Sequence, residues 1–259
     1  SMKGEAKRDW PASIFFQSPW YLKFSDLETY FARLNTALTR GQAVVRIAVL
    51  HPIESFWLHY GPIDQTGAYC EEKKRWLEKL AEELLYHTVD FDFLAESLLL
   101  NLQEQKSHAM LNYRTIIIPP MTTIRSTTLD FLKKCKRNGV RLIFMGEIPA
   151  LVNAQKDNRA KLLAEESICI SDSFSTLLKF LNQDRDVKIK KTNGNDSDNL
   201  FYQMRQDGEF FWLFCSHVNC KRKEEKQPEQ YQIKVCGNFN AVQYDAQNGI
   251  ILELSLIHI

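Results

Sequence analysis

Four polar and aromatic side chains directly follow an apolar segment that reads as a buried strand. The segment Val44–Leu50 leads into a stretch, up to Pro62, that we predict to be a long loop. This stretch carries His51, Glu54, Trp57 and His59. Ligands of open α/β sheets bind beyond the carboxyl ends of the strands, so these residue types at this place indicate a binding site.

Further polar residues follow the other predicted strands and would meet the first group at the same edge of the sheet: Glu96, Ser97, Thr122, Thr123, Arg125 and Glu147. Trp57 offers an apolar platform, and Glu54 and His51 offer hydrogen bonds, a combination that suits a polyol. Alternatively, Trp57 packs this segment onto a neighbouring domain while the polar groups satisfy buried backbone. The same two interpretations, sugar subsite or domain docking, apply to the N-terminal aromatic residues Trp10, Phe15, Phe16, Trp20 and Tyr21.

Several common kinds of chemistry are not supported by the motifs of this chain. Neither G-x-G-x-x-G nor G-x-x-x-x-G-K-[ST] follows any predicted strand, which argues against dinucleotide and phosphate-loop sites. A Cys/His/Glu triad needs a cysteine at a strand-to-helix elbow, but that strand reads LIFMGEIP, with Met145 near the elbow. We therefore expect no nucleophile there.

We expect neither a metal nor a cofactor. Cys215, His217 and Cys220 have zinc-ligand residue types, but no fourth ligand lies at a suitable spacing. The chain has 33 Lys and Arg against 32 Asp and Glu, and the KRKEEK segment mixes both signs without aromatic residues. No partnership with nucleic acid or with an anionic membrane surface is therefore expected.

The composition is that of a globular protein, because 44% of the 259 residues are hydrophobic and can form a sizeable core. The six cysteines are scattered, which favours reduced thiols and a cytoplasmic location. We find no signal peptide and no apolar stretch of about 18 residues.

Strand and helix patterns alternate from residue 42 to residue 185 and predict an α/β domain. The predicted strands are Val44–Leu50, Phe91–Leu94, Thr115–Ile118, Val140–Met145 and Ser167–Ile170. The predicted helices are Thr66–Tyr86, Thr127–Lys136 and one capped by Asp172. This alternation implies a mostly parallel sheet with helices on both faces. A further helix precedes it, beginning at Ser25 with a Ser25/Glu28 capping box and ending before Gly41.

Residues 186–254 show strand patterns without helical periodicity and predict an incomplete antiparallel β-sandwich. The turns TNGNDSDN, QDG and DAQNG and the polar loop KRKEEKQPEQ predict hairpins. Residues 255–259 resemble a translated sequencing adapter, so we treat them as a tail that could be non-native.

The segments KRDWPASIFFQSPWY, VVRIAVLHPIESFWLHYGP, FDFLAES, TIIIPPMTTIRSTTLDFL and LIFMGEIPALV resemble bacterial glycoside hydrolases of the α-L-rhamnosidase-like kind. The resemblance covers most of residues 7–254 and concerns the region that follows the catalytic TIM barrel. It implies a flavodoxin-like domain of the class I glutamine-amidotransferase-like kind, followed by a β-sandwich. Residues 1–41 would then be the exit segment and helix of an upstream barrel.

The resemblance also implies carbohydrate hydrolysis by the intact enzyme. The acid and base would lie on the upstream barrel, so we expect no catalytic residue and no turnover in this chain alone. Trp20, His51, Glu54, Trp57 and His59 would border the substrate cleft as substrate-binding residues. The expected partners are a carbohydrate, the barrel and a second copy of the chain in a homo-oligomer.

Two other functions remain open from the sequence. The first is a non-catalytic interaction or oligomerisation module that uses the aromatic N-terminal segment. The second is a freestanding hydrolase with Glu54 and Glu147 as its carboxylates, although nothing in the sequence fixes their separation.

Overall fold

The computed structural model describes residues 16, 18–99, 112–218 and 230–253. In this part of the chain the helices are α1 (Phe24–Thr39), α2 (Ile53–His59), α3 (Ile63–Tyr86), α4 (Ser126–Arg137), α5 (Arg159–Glu165) and α6 (Phe174–Leu181). Short 3₁₀ turns cover Tyr21–Lys23 and Glu96–Leu98.

A five-stranded parallel sheet forms the centre of the protein, in the order β3-β2-β4-β6-β9. Its strands are β2 (Ile47–His51), β3 (Asp92–Ala95), β4 (Thr115–Ile118), β6 (Arg141–Met145) and β9 (Ile168–Ile170). A small second sheet joins β5 (Thr123–Ile124), β7 (Leu151–Val152) and β8 (Gln155–Lys156). The predicted α/β domain with a mostly parallel sheet is confirmed.

Both faces of the parallel sheet are covered by apolar side chains, because successive residues of a strand point to opposite faces. On one face, Ala48 and Ile116 pack with Leu129 and Leu132 of α4. On the other face, Val49 and other strand residues pack against helices α3 and α6. The helix residues in these contacts are Leu80 and Leu84 of α3 and Leu177 and Leu181 of α6. This two-sided burial explains why the strands read as continuous apolar runs.

The C-terminal part consists of antiparallel sheets, as expected for the start of a β-sandwich. Its strands are β10 (Val187–Lys191), β11 (Leu200–Asp207), β12 (Phe210–His217), β13 (Tyr231–Val235), β14 (Val242–Asp245) and β15 (Ile250–Glu253). A short strand that precedes the parallel sheet in the chain, β1 (Gln42–Ala43), pairs with β11. These strands pair as β1-β11-β12, β10-β13 and β14-β15. Val187, Ile189, Leu200 and Met204 form the core between the first two sheets.

Two of the predicted hairpins are confirmed, and the other two segments do not pair the strands that they connect. The QDG turn joins β11 to β12, and the DAQNG turn joins β14 to β15. The TNGNDSDN segment reverses the chain, with an antiparallel bridge between Lys190 and Asp196, but β10 pairs with β13 rather than with β11. For the same reason β12 and β13 are not hairpin partners across KRKEEKQPEQ, of which residues 221–229 lie outside the described residues. Turn composition indicates a reversal of the chain but does not select the strand that pairs.

Helix boundaries differ from the predictions at three places. The stretch after β2 is not a long loop, since residues 53–59 form α2, and α3 begins at Ile63 rather than Thr66. Helix α1 begins at Phe24 without a side-chain cap, and Ser25 Oγ donates to Leu22 O instead. Helix α6 is capped by Ser173, which accepts from Thr176 N, rather than by Asp172.

Ion pairs hold the chain after α6 against the amino ends of the parallel strands. The Asp186 carboxylate accepts from Arg46 Nε at 2.5 Å and from Arg114 Nη1 at 2.9 Å. Asp184 accepts from Thr115 Oγ1 at 2.7 Å and pairs with Arg141. We call Asp184, Asp186 and their arginine partners the amino-edge cluster, and it joins the parallel sheet to the segment that leads into β10.

Asp90 lies close to the amino-edge cluster and should make stability depend on pH. Burial, together with the charge of Asp92, raises the pKa of Asp90 to about 6, from an ordinary value of 3.8. The folded state therefore disfavours the charged form of Asp90, and the contribution of Asp90 to stability should fall as pH rises from about 4 to about 6. We expect Asp90→Asn to raise the free energy of unfolding at pH 7.5 by about 3 kcal/mol.

Urea unfolding of Asp90→Asn and wild type between pH 4 and pH 7.5 measures this effect, and the difference should shrink towards pH 4. Asp130 is exposed on α4, so Asp130→Asn is the matched control and should show no comparable rise with pH. A constant difference between Asp90→Asn and wild type over this range would contradict the expectation.

Candidate functional site

The order of the parallel strands creates a crevice at one defined place. The chain runs from β2 outward to β3 and then crosses back to β4 on the other side of β2. The direction of winding therefore reverses between β2 and β4. In open α/β sheets this reversal leaves a crevice at the carboxyl ends of the two strands, where ligands bind.

A shallow, solvent-open cleft lies at this reversal, and we call it the switch-point cleft. Segments following β2 and β4 and one face of α3 line it, through Pro52, Ser55, Phe56, Tyr69, Lys73, Trp76, Leu77, Pro120 and Thr122. The lining is mainly aromatic and aliphatic, with the hydroxyl groups of Ser55, Tyr69 and Thr122 and one ammonium group. Mainly apolar walls with a few placed polar groups are typical of small-molecule sites.

Ser55 holds two walls of the switch-point cleft together. Its buried Oγ accepts from Thr122 N at 3.0 Å and from Thr123 N at 3.1 Å, and it donates to Thr123 O at 3.1 Å. A serine hydroxyl has one hydrogen and two lone pairs, so these bonds use its full capacity. The hydroxyl thus fixes α2 to the segment after β4.

The hydroxyl of Thr122 contacts two polar side chains at the cleft, those of His59 and Tyr69. His59 Nε2 lies 3.1 Å from Thr122 Oγ1, and Tyr69 OH lies 3.4 Å from the same atom. The rings of His59 and Tyr69 are also in contact, with centroids 4.3 Å apart. Lys73 Nζ lies 5.4 Å from the centre of the Tyr69 ring and 3.2 Å from Glu147 Oε2.

Met145 and Gly146 lie at the end of β6, the place where an elbow nucleophile would stand. Met145 is the last residue of β6 and is buried, and Gly146 follows with a φ of +57°. A Cβ at Gly146 would lie 2.3 Å from Asp172 Oδ1 and 3.2 Å from Pro120 Cγ. Only glycine combines this conformation with such close neighbours, so no reactive side chain can stand at this position.

Glu54, a predicted substrate ligand, is engaged in an ion pair beside the cleft. Its carboxylate pairs with Arg125 Nε, and its side chain is largely buried. The adjacent Glu96 is fully buried and accepts from Arg125 N at 2.8 Å, at the start of α4. Burial raises the pKa of Glu96, and the hydrogen bond from Arg125 N opposes this rise. Both carboxylates therefore position Arg125.

The other predicted site residues are spread along the same edge of the sheet. His51 ends β2 half-buried, with its ring edge-on to Phe93 at 5.6 Å, and burial lowers its pKa. Trp57 on α2 and Trp20 before α1 are 62% and 56% exposed, and neither lines the cleft. The structure thus brings His59 to the cleft and places Glu54 beside it, while substrate binding by all five residues stays a prediction. Trp10 and Phe15 lie outside the described residues.

Three of the cleft-lining residues that the sequence analysis did not single out lie on one face of α3. Tyr69, Lys73 and Trp76 lie at positions i, i+4 and i+7 and share one helix face. Trp76 also contacts Phe174 of α6, with 5.7 Å between the ring centroids. The sequence does contain a signal that could have indicated these residues, namely a lysine between two aromatic residues on an otherwise apolar helix face.

Residues 16, 18–99, 112–218 and 230–253 contain neither a candidate metal site nor a helix that could span a membrane. These residues contain no group of three or more His, Cys, Asp or Glu side chains arranged around a common ion position. Cys220, one of the zinc candidates, lies outside them. None of their helices combines the length and apolar character needed to cross a bilayer.

By its strand order the chain is an α/β protein with the 2-1-3-4-5 arrangement typical of flavodoxin-like folds, followed by antiparallel sheets. No protein-family model matches the sequence, and no curated protein matches it. Among solved structures, the apo exo-carrageenase GH42 from Bacteroides ovatus is similar, with a TM-score of 0.48 and 10% identity. The match covers 81% of this chain and 28% of that chain. At this level the likeness supports no inference about activity.

Proposed function

We propose that this chain is an auxiliary α/β domain of a glycoside hydrolase and that its carboxyl edge borders the carbohydrate cleft. The observation that carries the proposal is the switch-point cleft, which combines aromatic faces with hydroxyl and ammonium groups. The catalytic acid and base would lie on a barrel outside the present sequence. The finer assignment to the α-L-rhamnosidase-like kind rests on the sequence segments alone.

The chemistry of the switch-point cleft suits a sugar ring. The C–H faces of a pyranose pack on aromatic rings, and Phe56, Tyr69 and Trp76 supply such rings. The sugar hydroxyls need donors and acceptors at fixed positions, and Thr122 and Lys73 supply them. His59 supports Thr122 from behind, and the exposed Trp57 extends the aromatic surface along α2.

The carboxylates near the cleft support a binding role rather than hydrolysis. Glu54 is paired with Arg125, and Glu147 is paired with Lys73. A glycosidase acid and base must both face the scissile bond, and neither of these carboxylates lines the cleft. The purified chain is therefore expected to show no turnover of aryl glycosides.

Binding of simple methyl glycosides to the full chain tests the proposal. Titrations followed by amide chemical shifts should perturb signals of Thr122 and Tyr69. Tyr69→Ala should weaken binding about tenfold, because it removes one aromatic wall. Tyr60 is 84% exposed and does not line the cleft, so Tyr60→Ala is the matched control and should bind as wild type. Absence of any glycoside binding, or equal weakening in both variants, would refute the proposal.

A second candidate, an interaction or oligomerisation module, is favoured by the exposed apolar side chains near α1. Leu22, Leu27 and Phe31 are 87%, 48% and 55% exposed, and none of the residues of α1 is buried. Exposed apolar patches of this kind mark protein interfaces. An oligomer that is broken by Leu27→Asp, in a chain that binds no glycoside, would support this candidate over the first.

A further inference from the structure

We infer that the switch-point cleft selects an acidic sugar, a hexuronide, and that Lys73 is the residue that binds its carboxylate. This inference rests on the proposed function and adds the class of sugar to it. The argument depends on the charge of the lining, on how Lys73 is held, and on its place between two aromatic rings.

The first observation concerns charge. Among the residues that line the cleft, Lys73 alone carries a formal charge at neutral pH, and the others are apolar, aromatic or hydroxyl side chains. No carboxylate among the described residues belongs to this lining. A cleft with apolar walls and one cation favours an anionic substituent on an otherwise uncharged ring, because a charge-assisted hydrogen bond is stronger there than a neutral one.

The second observation concerns how Lys73 is held. Its side chain is 24% exposed, packs over the Tyr69 ring and has one acceptor among the described residues, Glu147 Oε2 at 3.2 Å. An ammonium group has three donors, so two remain for a ligand. Glu147 is 51% exposed and lies outside the lining, so it orients Lys73 without occupying the cleft.

The third observation concerns the spacing along α3. Lys73 stands between Tyr69 and Trp76 on one helix face, and the backbone positions of these two residues are about 10 Å apart along the helix axis. A pyranose ring packed against either aromatic side chain would bring a carboxylate on its C5 carbon towards the ammonium group. A neutral hexose in the same position would present a hydroxymethyl group, which gains no charge-assisted bond.

The test compares methyl β-D-glucuronide, methyl β-D-glucoside and sodium acetate as ligands of the full chain, by calorimetry at low ionic strength. We expect the glucuronide to bind at least about tenfold more tightly than the glucoside, and this preference to shrink as salt is added. Lys73→Met keeps the length of the side chain and should remove the preference. Lys79 lies on the same helix, 5.4 Å over the Phe174 ring and outside the cleft, so Lys79→Met is the matched control and should retain it.

Each of the other outcomes would overturn either the inference about Lys73 or the proposed function. Equal binding of the glucuronide and the glucoside would overturn the inference about Lys73 and leave the proposed function standing. Acetate binding as tightly as the glucuronide would show a general anion site and would also overturn the inference. Failure of both glycosides to bind would overturn the proposed function together with it.

Discussion

Replacing Ser55 with alanine is expected to lower the free energy of unfolding by about 3 kcal/mol and to weaken ligand binding in the switch-point cleft. The Ser55 hydroxyl bonds to two backbone N–H groups and one carbonyl oxygen of the segment after β4. Its loss leaves these groups in a buried place without a partner, and each such group costs about 1 to 3 kcal/mol. The segment that carries Pro120 and Thr122 would then shift relative to α2.

Urea unfolding measures the change in stability, and glycoside titration measures the change in binding. Ser25→Ala provides the control, since Ser25 is exposed and its Oγ donates a single bond to Leu22 O at 3.4 Å. That variant should match wild type in both measurements. A Ser55→Ala protein with wild-type stability would show that the hydroxyl does not hold the two walls together.

Replacing Asp184 with alanine is expected to have a still larger effect, a loss of about 3 to 5 kcal/mol in the free energy of unfolding. The Asp184 side chain is 5% exposed, pairs with Arg141 and accepts from Thr115 Oγ1. Without the carboxylate, a partly buried guanidinium and a fully buried hydroxyl lose their common partner. The loss should appear as a lower midpoint of urea unfolding.

Asp207→Ala is the matched control for Asp184→Ala, because Asp207 also pairs with an arginine, Arg40, at 2.6 Å. The two side chains of that pair are 32% and 51% exposed, and exposed ion pairs contribute less than about 1 kcal/mol. Comparable losses in the two variants would mean that burial does not set the contribution of Asp184.

Most elements of the α/β part could be predicted from the sequence, because their patterns are local. The strand Thr115–Ile118 was predicted at its observed bounds, and α4 was predicted within one residue at each end. Continuous apolar runs of four or five residues between amphipathic helices indicate a parallel sheet covered on both faces. The antiparallel sheets after residue 186 were likewise evident from alternation and from Asp-Gly and Asn-Gly turns.

The predictions of helix α2 and of two N-caps were wrong because the local sequence at these places is compatible with more than one structure. Helix α2 was predicted as a loop because its seven residues are too few for a clear period, and Pro52 and Pro62 flank it as they would flank a loop. Ser25 and Asp172 have the right residue types for caps, but the neighbouring residues Lys23 and Ser173 occupy the N-cap positions.

The candidate site could be predicted in part. The sequence alone placed His51, Glu54 and His59 beyond the end of the first parallel strand. In the structure His51 is the last residue of β2, and Glu54 and His59 lie on α2, which follows it. It did not indicate that Glu54 would pair with Arg125, since those residues are 71 positions apart. Nor did it indicate that Lys73 would face a cleft, because the partner surfaces of a helix depend on tertiary packing.

The sequence by itself determined the kinds of elements and their order along the chain, since periodicity and turn residues act over a few neighbouring positions. Only the tertiary structure decided the strand order β3-β2-β4-β6-β9, and with it the reversal between β2 and β4 that opens the switch-point cleft. Pairing between strands and packing of α3 against α2 join residues that are distant in the chain. The place where Tyr69, Lys73 and Thr122 meet therefore follows from the fold rather than from any local pattern.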